Sequence, residues 1–128
     1  MITVPISLGE LIDKITILNI KLSEITDEHK LKNVHTELDL LISLPQYQKV
    51  KDNPDVIECT EKLYSVNSKL WQIEDEIRDH ERQKRFDQDF ISLARAVYIT
   101  NDERSQLKKD INVKYGSQII EEKSYSAY

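Results

Sequence analysis

Residues 56–77 read VIECTEKLYSVNSKLWQIEDEI. Val56, Cys59, Leu63, Val66, Leu70, Ile73 and Ile77 step by alternating threes and fours, so all of them fall along one line of an α-helix. Leu8, Leu11, Ile15, Leu18, Leu22 and Ile25 form a second seam with the same spacing. Only 2 glycines and 3 prolines occur in 128 residues, so little interrupts long helices. The two seams predict an all-α protein, with long helices packed as an antiparallel coiled-coil-like hairpin or a three-helix bundle.

Working outward, Pro5 biases Val4 away from helix, and residues 1–6 read as a short extended arm. Ser7-Leu8-Gly9-Glu10 matches a capping box, which starts a first helix running to about Ile25. The seam loses phase at Thr26–His29, which reads as a kink in the first helix near Thr26 or a short break, with Asp27 as the cap of a further helix that runs to about Ser43. Residues 45–54 read as a polar loop. Asn53-Pro54 then supplies a cap and a first-turn proline for the long helix from about Asp55 to Gln83. Residues 82–87 are the place for a reversal, although they lack Gly and Pro, which leaves one continuous helix as the alternative. The last helix carries Phe86, Phe90, Leu93, Val97, Leu107 and Ile111, and Gly116 suits its left-handed cap. A tail, 117–128, follows. The length fits one domain spanning 1–128.

The net charge of -5 disfavours nucleic-acid or membrane-surface binding driven by global charge. No apolar run reaches the roughly 18 residues of a membrane span. The N-terminus lacks a signal-peptide pattern, so a cytoplasmic protein is expected. The single cysteine, Cys59, lies on the seam and reads as a small buried apolar residue. A chain with 32% charged residues and one buried stripe per helix buries little apolar surface, which predicts a homo-oligomer, with an unidentified protein partner as the alternative.

The final helix has a polar gap. Asn101-Asp102-Glu103-Arg104 interrupts its apolar line, and buried polar groups need partners. A hairpin turning near residue 85 brings Arg95 towards Glu74 and Asp75, and Arg104 towards Asn67. All five arginines lie within 78–104. This composes a candidate site for a small anionic ligand from Glu74, Asp75, Arg78, Arg95, Asn101 and Arg104, with a register-fixing ion-pair layer as the plainer account. Arg78 also has Glu74 four residues before it, a favourable pair on a wet face.

No metal or cofactor is expected. Glu76-x-x-Asp79 supplies half of a magnesium-binding pair without a matching half on the earlier helices, and none of His29, His35 and His80 follows a glutamate by three residues as di-iron bundles require. An all-helical chorismate mutase would need arginine on the first helix, which has Lys14 and Lys21 instead. No phosphate loop, nucleophile elbow or zinc spacing is present. The leading functional expectation is a non-catalytic, self-associating helical module, and the alternative is a small-ligand binder or small enzyme using the polar cluster.

Several strings carry a resemblance: VPISLGELIDKITIL at 4–18, LWQIEDEIR at 70–78, FISLARAVY at 90–98, NDER at 101–104, Gly116-Ser117 and EEKSY at 121–125. Together they resemble a family of small bacterial and phage proteins of about this length whose function is unknown. Ala96 stands where the resemblance expects serine. The resemblance implies that the whole length is one module and that a phage or marine-bacterial source is plausible. It brings no activity or site residues.

Overall fold

The computed structural model describes residues 1–128. Five helices form in chain order: α1 (Leu8–Glu24), α2 (Glu28–Ile42), α3 (Pro45–Val50), α4 (Pro54–Arg82) and α5 (Gln88–Lys114). There are no strands, and the expected all-α class holds. The starts follow local chemistry. Ser7, Asp27 and Asn53 each accept a hydrogen bond from a first-turn N–H, and Asp87 does the same for α5. The Ser7 half of the expected capping box forms, with Glu10 N 3.1 Å away. The reciprocal half does not, because the Glu10 carboxylate turns to Lys108.

Two other expectations are corrected. Residues 45–50 are helical, since Pro45 presets the first turn of a short helix whose first backbone hydrogen bonds run from Tyr47 and Gln48 N–H to Leu44 O. Phe86 lies outside α5, because Asp87 caps that helix one residue later. The reversal itself is real. Lys84 takes φ 56°, the left-handed value a tight turn requires, without a glycine. Gly116 takes φ 63° just beyond α5, and Ser117 N–H donates to Asn112 O at 2.8 Å.

The long helices α4 and α5 run antiparallel. Asp55 pairs with Lys114, Cys59 Sγ lies 3.9 Å from Leu107 O, and His80 approaches Asp87. Helix α1 lies against one end of this hairpin, antiparallel to α5, and also packs on α2. It therefore buries two faces. Leu11, Ile15 and Leu18 join Val34 and Leu38 of α2. Ile12 joins Val56, Cys59, Leu63 and Ile111 of the hairpin. Ile12, Val56 and Leu63 are at most 1% exposed, and each such side chain contributes about 1.5–3 kcal/mol. Leu8, placed by its spacing on the α2-facing seam, packs instead with the hairpin cluster.

Gly9 is where α1 comes closest to α5. A Cβ on residue 9 would lie 2.6 Å from Lys108 O and 2.9 Å from Asn112 Oδ1. The absent side chain lets Gly9 N–H, one of the unpaired first-turn donors of α1, reach Asn112 Oδ1 at 2.7 Å. Helix α1 ends at Glu24, well before the hairpin does. No residue from 74 to 99 is buried.

Candidate functional site

The site begins with Asp13, a carboxylate on α1 with no exposed surface. A buried carboxylate is costly unless its oxygens are filled. Here every neighbouring element contributes. Asn67 of α4 donates from Nδ2 to Asp13 Oδ1 at 2.8 Å and to Thr16 Oγ1 at 3.0 Å. Arg104 of α5 donates from Nε to Oδ1 at 3.0 Å and from Nη2 to Oδ2. Lys108, one turn further, lies 3.6 Å from Oδ2 and donates to Glu10 Oε2 at 2.6 Å. Burial pushes the Asp13 carboxyl up, but the hydrogen bonds from Arg104 and Asn67 and the charges of Arg104 and Lys108 outweigh it. The group is held below its ordinary 3.8. The same hydrogen bond raises Arg104 above its ordinary value.

This layer borders a cavity of about 800 Å³ between α5 and the C-terminal tail. Glu10, Arg104 and Lys108 line its inner side, and Tyr98, Asn101 and Asp102 its wall on α5. The tail adds Glu121, Lys123, Tyr125 and Tyr128. Glu121 lies 3.5 Å from Lys108 Nζ, and Lys109 Nζ lies 3.1 Å from Glu122. The Tyr98 and Tyr128 rings meet edge to face at 5.2 Å. Lys123 and then Lys108 hold Glu121 below its ordinary value, and Asp102 beside the Tyr128 hydroxyl pushes that group up.

Of the six residues proposed from sequence, Asn101 and Arg104 line this cavity; Glu74, Asp75, Arg78 and Arg95 do not. Arg104 and Asn67 meet as the hairpin register predicts, through their shared acceptor Asp13. Arg95 is exposed and pairs with neither Glu74 nor Asp75, because Glu74 is taken by Arg78 one turn along its own helix. Sequence reasoning passed over Asp13 and Lys108. The available signal was that α1 is apolar on two sides, which makes a carboxylate between those sides a buried one.

At the hairpin turn, His80 Nδ1 lies 2.9 Å from Glu76 O, and the ligand atoms of His80, Asp87 and Asp89 lie within 4.8 Å of one another. Arg85 neutralises both aspartates, at 3.3 Å and 3.8 Å. Burial raises the Cys59 thiol to about 11, so it stays protonated and inert at neutral pH.

Fold and site together define an all-helical protein with a polar layer sealed by its first helix. By sequence, residues 2–128 match the model of a family of unknown function, DUF6165, and the chain belongs to that family. No curated protein and no solved structure matches it.

Proposed function

We propose that this chain is a non-catalytic, self-associating helical module whose contact surface is the free end of the α4–α5 hairpin. The carrying observation is that no residue from 74 to 99 is buried, although the stretch holds Ile77, Phe90, Leu93 and Val97 at helical spacing. Phe86 is 55% exposed and Ile91 47%. Two helices alone cannot close a core, and a third partner is needed on the open side. A second copy suits this surface. Its charges alternate in sign, with Glu74–Arg78, Asp79–Arg82 and Glu81–Lys84 paired along the helix, so an antiparallel twofold arrangement sets no single-sign patch against itself. The reading extends to a reducing, cytoplasmic setting, in keeping with one buried, unpaired cysteine.

Sedimentation equilibrium at micromolar concentration tests the idea. The wild-type mass should exceed the 15.0 kDa monomer, and Ile91→Glu should return it to monomer while circular dichroism stays helical. A strict monomer for the wild type would overturn the reading. So would an oligomer indifferent to charge at Ile91.

A further inference from the structure

The tail cavity is not explained by self-association. Its lining combines cations already aimed by the protein with aromatic rings and a closing segment of irregular chain. Arg104 uses Nε and Nη2 on Asp13, while its Nη1 donates to nothing within the chain. The guanidinium is therefore fixed along one edge by a buried carboxylate and free along the other. Lys108 is 12% exposed at its side chain and has three carboxylates around it: Glu10 at 2.6 Å, Asp13 at 3.6 Å and Glu121 at 3.5 Å. The first two belong to α1 and are built into the fold. The third comes from the tail.

The tail is held lightly. It has no regular structure beyond Ser117, and its ion pairs to α5 involve Glu121 and Glu122, which are 54% and 71% exposed. The Lys109–Glu122 pair is exposed on both sides and contributes little, while Glu121 reaches the largely buried Lys108 from the solvent side. The tail's own Glu121 thus occupies the position on Lys108 that a free anion would take, with the open edge of Arg104 in the same cavity. Tyr98, Tyr125 and Tyr128 add aromatic surface suited to a planar body. A volume near 800 Å³ is in the range of small-molecule sites.

We propose that this cavity binds a small planar compound bearing a phosphate or carboxylate, and that Glu121 keeps the anion position filled until such a ligand displaces it. The anion engages Lys108 and the free edge of Arg104, the ring lies among the tyrosines, and the tail closes over it. The two sources of such chemistry are a nucleotide phosphate and an aromatic carboxylate.

Isothermal titration of the full chain with adenosine 5′-monophosphate, 4-hydroxybenzoate and orthophosphate tests this. One ring-bearing probe should bind at least tenfold more tightly than orthophosphate, and which one does so identifies the source. Glu121→Gln should tighten that binding several-fold, since it removes the internal competitor. Arg104→Lys retains a charge for Asp13 but loses the free guanidinium edge, and should weaken binding at least tenfold with the helical signal intact. Absence of binding by both ring-bearing probes at millimolar concentration would overturn the site. Weaker or unchanged binding in Glu121→Gln would overturn the displacement.

Discussion

The two halves of the α4–α5 hairpin differ in what lies in the groove between the helices. From Val56 to Ile73 and from Thr100 to Asn112, α1 occupies that groove. Leu63 and Thr100 have no exposed surface there, and the contact is dry enough that Asp13 must be filled by Asn67, Arg104 and Lys108. From Glu74 to Ile99 the same two helices continue with apolar residues at similar spacing, yet none is buried. Periodicity alone is therefore insufficient for a core. It marks a face, and burial needs a third element to cover that face.

The largest expected effect breaks the sealed half at its charge. Asp13→Ala strands Arg104 and Lys108 without their buried acceptor and should cost about 3–5 kcal/mol in urea unfolding. Arg95→Met in the open half should change stability by less than about 0.5 kcal/mol. Comparable losses would erase the distinction between the halves. Next, Leu63→Ala removes a fully buried side chain and should cost about 2–5 kcal/mol. Leu93→Ala should cost less than half as much, measured at concentrations dilute enough to keep the chain monomeric.

Gly9→Ala sharpens the contrast by its sign. Alanine normally favours a helix over glycine by up to about 1 kcal/mol. At position 9 the added methyl meets the Lys108 backbone, so destabilisation of about 1–3 kcal/mol is expected by thermal or urea melts. The smallest effect is in acid. Asp13 is held below its ordinary 3.8 in the folded state, so its contribution is complete above 3.8 and lost as pH falls through the lower folded value. The urea midpoint of wild type should therefore decline below pH 3.8 more steeply than that of Asp13→Asn.

The helices were legible wherever a cap coincided with a change of phase. Ser7, Asp27 and Asn53 are side chains that announce a start, and the structure uses all three. The turn at Lys84 was placed but not explained, because a lysine at φ 56° leaves no mark in composition. Helix α3 was missed since six residues are too few to display a period. The candidate site was half legible. Arg104 and Asn101 stand out as polar residues on an apolar line, whereas Asp13 sits beside Lys14, off the α1 seam that the threes-and-fours spacing marks. Arg95 looked like part of the layer only because its register opposite Glu74 and Asp75 was assumed to bring burial with it.

The contact between Gly9 and Asn112 joins residues 103 positions apart, and that between Asp13 and Arg104 joins residues 91 apart. During synthesis α1 and α2 emerge together and can pair at once through Leu11, Ile15, Leu18, Val34 and Leu38. The other face of α1 meets α4 first, through Ile12 and Asn67, but Asp13 lacks its Arg104 and Lys108 partners until α5 arrives. Helical bundles rich in local contacts are usually rapid folders, and contacts this distant in sequence belong to the kind that lowers folding rates. The nascent chain consequently passes through an interval in which its most hydrophobic helix is half clothed, and the order of translation makes α5 the latch of the fold.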